Sequence, residues 1–250
     1  MKHDYNNVTL KASFALAVLL LVPALACAQI GLGSAASYTV LGGSTVTSTG
    51  LTAISGHVGV SPGTAITGLP VGQPAPGVVH LGDPAAAQAQ ADLAVAYTFL
   101  AGMPCTVQMT GVDLGGKTLS PGVYCFDTSS GLTGTLTLDG LGNSGSVFVF
   151  KMGSTLTVAG LSAVVLINGA AANHVWWQVG SSATLAAASA MQGNIIAHTS
   201  ISLAAGAGVI GRVMAQGGAV TMIANAIVGS CPNTTPTLRV TWSKVKAQYR

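Results

Sequence analysis

A short phrase recurs along this chain at nearly fixed spacing: a small hydroxyl residue, an aliphatic, a run of tiny residues, and a glycine nine positions after the first. It spans Thr47 to Gly56, Thr184 to Gly193 and Ser202 to Gly211. The last two copies are offset by 18 residues and Thr221 follows 19 later; the segments around Thr137-Leu138 and Thr157-Val158, 20 apart, are looser copies. A period near twenty without a helix-length apolar stripe predicts a solenoid. A turn of that length cannot bury its own aliphatics and must stack them on the next. The outside of such a coil is a ladder of similar side chains, which makes a regular binding surface.

Composition agrees with a mainly β chain. Half of the residues are apolar, 6% are charged and Glu is absent, so the Glu/Lys-rich faces of soluble helices are missing. One helix is expected at about 83–101. Asp83 is a good N-cap, Pro84 suits the first helical position, Ala85 to Leu100 is rich in Ala and Gln, and Gly102 and Pro104 supply the stop. Leu93, Ala96, Tyr97 and Leu100 share one face of it, spaced to pack along the solenoid wall. Ser61-Pro62-Gly63 and the run from Gln73 to Gly77 are turn and loop punctuation. A loop and a helix thus separate the first β turn from the later ones, so a single domain requires a discontinuous coil.

Residues 1–28 have the form of an export signal. Lys2 and Lys11 precede an apolar run from Ala12 to Val22, too short to span a bilayer, and Ala26-Cys27-Ala28 fits cleavage before Gln29. The competing reading is a lipoprotein anchored through Cys27, although Ala24-Leu25-Ala26 matches that signal imperfectly. The expectation is a secreted mature chain with no membrane span, one domain over 29–232 and a basic, solvated tail at 233–250 carrying Arg239, Lys244, Lys246 and Arg250. From Gln29 to Leu238 there are three basic and five acidic residues, which provides no electrostatic footprint for nucleic acid. Once Cys27 is removed, Cys105 and Cys125 lie 20 apart in a segment able to fold back on itself. An oxidising compartment favours a disulfide between them. Cys231 is then a buried thiol, or the pairing is arranged differently. No His/Cys cluster has metal spacing, and neither metal nor cofactor is expected.

Catalysis finds no support in the residues. Asp83, Asp92, Asp113, Asp127 and Asp139 are scattered, and no pair has the context of a glycosidase dyad. His57, His80, His174 and His198 lack a serine or cysteine partner in a recognisable nucleophile motif. Trp176-Trp177 could form a sugar-stacking platform, but one of two adjacent strand residues must point inward, and core packing is the better reading.

The phrases LGSAASYTVLGGSTVTSTG, GHVGVSPGTAITGLP, AAAQAQADLAVAYTFLAG, DLGGKTLSPGVYCF, WWQVGSSATL and GNIIAHTSISL together resemble the large family of microbial ice-binding proteins, from about Gly31 to Pro232. The resemblance implies a discontinuous, right-handed, three-faced β-solenoid with one long α-helix packed alongside. It also implies a monomer that adsorbs to an ice surface through a flat face of Thr, Ser, Ala, Gly and Asn, and is not an enzyme. Solenoid rungs stack roughly 4.7–4.9 Å apart, close to repeats in the ice lattice. The candidate ice-binding residues are Thr47, Thr49 and Thr52 on the first rung. On later rungs they are Ala187 and Ser189, Ala205 and Ala207, and Asn225. Those later rungs are poor in hydroxyls for such a family, and their Ala/Gly runs also suit tight turns alone. Thr184, Ser202 and Thr221 stack at the repeat spacing, on a side that the sequence leaves open. The alternative function is a structural or adhesive solenoid that binds glycan or protein in the envelope or matrix.

Overall fold

A computed structural model describes residues 30–230; the leader, Cys27, Cys231 and the basic tail lie outside them. Among the described residues, parallel strands form a 14-stranded and a 7-stranded sheet. Each full coil contributes one strand to each of three faces. In the first coil these are Tyr38–Gly42, Thr45–Thr49 and Ala53–Ser55. The 7-stranded sheet is the second face, and the larger sheet folds over to form the first and third.

The fold across that larger sheet explains the glycine of the repeated phrase. The eight-residue strands Ala190–Ala197 and Gly208–Ala215 begin on the third face and end on the first. They bend at Gly193 and Gly211, with φ of 111° and 149°. A Cβ on Gly211 would lie 1.9 Å from the carbonyl oxygen of Gly193 in the coil beneath, so the stacked bends exclude any side chain. Gly56 occupies the equivalent corner of the first coil, with φ 108°.

The coil is discontinuous, as expected. Along the stack the first face runs Val79–Leu81, His57–Val60, Tyr38–Gly42, Gly208–Ala215, Ala190–Ala197, Val175–Val179, Phe148–Met152, Gly122–Phe126 and Val107–Gln108. The N-terminal coils therefore sit at one end, against the last coil. The helix α1 (Pro84–Gly102) carries the chain to the other end, and the later coils return. Asp83 caps α1 by accepting from the Ala86 amide at 2.8 Å.

Two cores result. Inside the coil, inward residues stack on those of the next rung, with Tyr124, Phe150 and Trp177 in register. The Phe150 and Trp177 rings lie 4.2 Å apart. Outside the first face, Ala89, Leu93, Ala96 and Leu100 of α1 bury Leu41, Val149, Trp176, Ile196 and Met214. Trp176 and Trp177 thus point to opposite sides and are both buried, one under the helix and one in the coil. Gln90 Nε2 adds bonds to the carbonyls of Gly42 (2.9 Å) and Ala215 (3.0 Å). At the far end Lys151 Nζ donates to the Met103 carbonyl at 2.6 Å and caps the helix C-terminus. Burial there holds the Lys151 ammonium below its ordinary pKa. The expected disulfide, Cys105–Cys125, is present beside this contact.

Candidate functional site

The second face carries one continuous column of outward side chains. Strand registers pair Gly131 with Thr157, Thr157 with Thr184, Thr184 with Ser202, Ser202 with Thr221, Thr221 with Thr47, and Thr47 with Thr67. Each later member is flanked by apolar residues that point inward, as with Leu156 and Val158, Ala183 and Leu185, and Ile201 and Leu203, all buried. Period-two alternation turns the hydroxyls outward. Six of seven successive rungs therefore present a β-hydroxyl in register. Thr184, Ser202 and Thr221, whose side was open in the sequence, are the centre of this column.

A second set of hydroxyls lies two residues upstream on the same side: Ser129, Thr155, Ser182, Ser200 and Thr45, all half-buried or exposed. Thr155 Oγ1 donates to Ser129 Oγ at 2.8 Å, tying adjacent rungs. Two residues downstream the side chains are small and apolar at Ala159, Ala186 and Ala204. These columns contain no ionisable side chain. Asp113 borders the end of the face, where a Cβ on Gly131 would lie 2.8 Å from its Oδ2. Burial alone would push the Asp113 carboxyl up. The amides of Gly115 and Thr133 and the Thr133 hydroxyl outweigh this and hold it below the usual carboxylate range.

The candidate residues named from sequence separate into face and corner. Thr47 lies in the hydroxyl column, and Thr49 is exposed at its edge. Ala187 and Ala205 are exposed, but on the corner between the second and third faces. Thr52, Ser189, Ala207 and Asn225 are buried, at 1%, 1%, 0% and 2% exposure, and have no surface to offer. These four require correction, because the runs of tiny residues are corner turns. The chain enters the left-handed region at Ala188, Ala224, Gly50 and Gly206, and the side chains beside those turns satisfy corner backbone groups. Ser189 Oγ donates to the Ala186 carbonyl at 2.8 Å, and Thr52 Oγ1 accepts from the Ser48 hydroxyl at 2.8 Å. The missed signal was the apolar–hydroxyl–apolar triplet at 156–158, 183–185, 201–203 and 220–222.

The four histidines among the described residues have local partners. His80 Nδ1 contacts Asp83 Oδ2 at 2.7 Å, and His57 Nδ1 accepts from the Val78 amide at 3.0 Å. His174 Nδ1 meets the Ser144 carbonyl at 3.0 Å, and His198 Nδ1 meets Gln216 Oε1 at 3.2 Å. Among the described residues no three His, Cys, Asp or Glu side chains gather as a metal site. No helix there is long and apolar enough to cross a membrane.

A discontinuous three-faced parallel solenoid with one long helix alongside and an in-register hydroxyl face defines the class of fold. Residues 40–228 match the model of the Ice-binding-like family, and the chain belongs to that family. It is 50% identical over 203 residues to an ice-binding protein of Nostoc sp. (strain HG1), an alignment covering 80% of this chain and 74% of that one. It is 30% identical over 211 residues to an ice-binding protein of Flavobacterium frigoris (strain PS1), covering 79% and 75%. The crystal structure of an ice-binding protein from the Antarctic ascomycete Antarctomyces psychrotrophicus superposes with a TM-score of 0.75 at 38% identity. That match covers 81% of this chain and 98% of the other.

Proposed function

We propose that this protein adsorbs to ice through its second face, pinning the growth front and inhibiting recrystallisation, as a secreted monomer without catalysis. The observation that carries the reading is the register of Thr157, Thr184, Ser202, Thr221, Thr47 and Thr67 on successive rungs. Rungs about 4.8 Å apart repeat a hydroxyl, and on every one of these rungs except that of Ser202 a methyl, at near-lattice spacing. Methyls order the water over them and hydroxyls join it, so many weak contacts sum over a rigid face. The names of the relatives point the same way. Export follows from the leader at 1–28, with the lipoprotein form through Cys27 as its variant.

Ice-affinity partition followed by a recrystallisation assay tests the proposal. The wild-type chain is expected in the ice fraction. Thr184→Tyr, at the middle of the column, is expected to lose roughly tenfold or more in potency, a loss of about 1.4 kcal/mol or more in adsorption, with an unchanged melting curve. Exclusion of the wild-type chain from ice would turn the reading toward the adhesive solenoid.

A further inference from the structure

One rung of the second face breaks its level. The Ser and Thr side chains of the central and upstream columns end one bond beyond Cβ, and the downstream methyls of Ala159, Ala186 and Ala204 end at Cβ itself. Ile223 is the next member of that downstream column. It follows Met222, which pairs with Leu203, and on its other side it pairs with Thr49. The strand Val220–Ile223 turns Val220 and Met222 inward and Thr221 and Ile223 outward, and Ile223 is 42% exposed. Its side chain ends two bonds beyond Cβ, so it rises above the hydroxyls on one flank and the alanines on the other. The same rung dips at its upstream end, where Ala219 lies between Ser200 and Thr45.

We propose that Ile223 is a step that sets the downstream limit of the ice contact and confines it to the central and upstream columns. The inference rests on adsorption through the second face. A crystal surface is flat and rigid over several rungs, so it meets the highest atoms first. With Ile223 in place, a lattice plane lying on the hydroxyls is held off the alanine methyls beside it. A gap of roughly 0.5–1 Å already forfeits about a quarter to a half of a dispersion contact. A step of one bond length or more therefore removes the alanine column from the sum. The flat methyls of Ala159, Ala186 and Ala204 are then surface that the chain carries without using.

Recrystallisation titrations of the full chain and its variants, each with a melting curve to confirm folding, test the step. Ile223→Ala removes it and is expected to raise potency about threefold, as the alanine methyls join the contact. Ile223→Thr, which brings the rung to the level of Thr47 and Thr49, should gain at least as much. Ala186→Ile in the Ile223→Ala background rebuilds a step of the same height two rungs away and should cancel the gain. In the chain that keeps Ile223 the same change should cost less, a coupling that reports contact height rather than folding. Ser182→Ile, on the other flank of Thr184, should lower potency roughly tenfold in either background. No gain from either Ile223 variant, or equal losses from Ala186→Ile and Ser182→Ile in the chain that keeps Ile223, would overturn the proposal and leave adsorption through the second face standing. Failure of the wild-type chain to enter ice would overturn both.

Discussion

The side chain of Asn225 spans the gap left by Ala207: its Nδ2 donates to the Ala207 carbonyl at 2.9 Å and to the Ala204 carbonyl at 2.8 Å. Its Oδ1 accepts from the Ile223 amide. Ala207 follows Ser189 in a buried corner column and is its one member without a polar side chain, so the amide of the next coil serves two. Asn225→Ala would remove the side-chain partner of the Ala207 carbonyl and of the Ile223 amide, while the Ala204 carbonyl still accepts from the Ala207 amide at 3.1 Å. The expected loss is about 2 kcal/mol, or roughly 6 °C in Tm, in a thermal melt. Asn225→Asp keeps the acceptor but not the donor and should also destabilise.

Position along the hydroxyl column should set the size of a defect in ice activity. A bulky residue at Thr184 or Ser202 holds the whole face away from a flat crystal, whereas one at Thr67, on the terminal rung, blocks only its own end. Recrystallisation titrations should therefore rank Thr184→Tyr and Ser202→Tyr well below Thr67→Tyr. Ala187→Tyr and Ala205→Tyr, on the corner, should retain most activity.

The Cys105–Cys125 bond joins residues 20 apart in sequence. It ties the segment after α1 to the strand Gly122–Phe126. Replacing both cysteines by Ser restores loop freedom to the unfolded chain, at an expected cost of about 3 kcal/mol. Denaturant melts of the two forms measure this directly, and ice partition below the melting point should be unchanged.

Ice activity and stability should respond differently to acid. The columns of the second face hold no titratable side chain, and Asp113 at its end stays ionised. Recrystallisation inhibition is therefore expected to be flat from about pH 5 to about pH 9. Stability should fall below that range. The Asp92 carboxyl is held below the usual carboxylate range by the Ser34 hydroxyl, then the Ser34 amide, then Gln88. As pH drops below about 4 the unfolded chain takes up this proton first. The stabilisation is complete above that point and is lost as pH passes through the lower folded value. Asp92→Asn should reduce the acid sensitivity of Tm.

The periodic phrase made the solenoid legible because its hydroxyl and its glycine mark two fixed places in every coil, the second-face column and the bend between the third and first faces. The helix was legible for similar reasons. Asp83 and Pro84 start it, and the structure extends it only one residue beyond the expected end, to Gly102. The hydroxyl face was less so. Runs such as Ala186-Ala187-Ala188 look like flat surface in sequence, but a left-handed residue at Ala188 turns them through a corner, and Ala carries no strong signal for that conformation. The alternating triplets gave the orientation of Thr184 and Ser202 locally. What they lacked was any sign of which face those residues would line, since that depends on how the coils register.

The helix also has a consequence for the number of coils. Its 19 residues span about 28 Å at 1.5 Å each. From Val79–Leu81 to Phe148–Met152 the first face takes six strand steps, about 29 Å. The helix is thus a gauge cut to these six steps, with Gly122–Phe126 and Val107–Gln108 stacked beyond them, and it is fixed at one end by Asp83 and at the other by Lys151. A longer ladder cannot arise by adding a coil at either end, because the N-terminal coils already close one end and the chain reverses at the other. It must come from inserting a whole coil in the returning stretch, and each such coil obliges the helix to grow by about three residues.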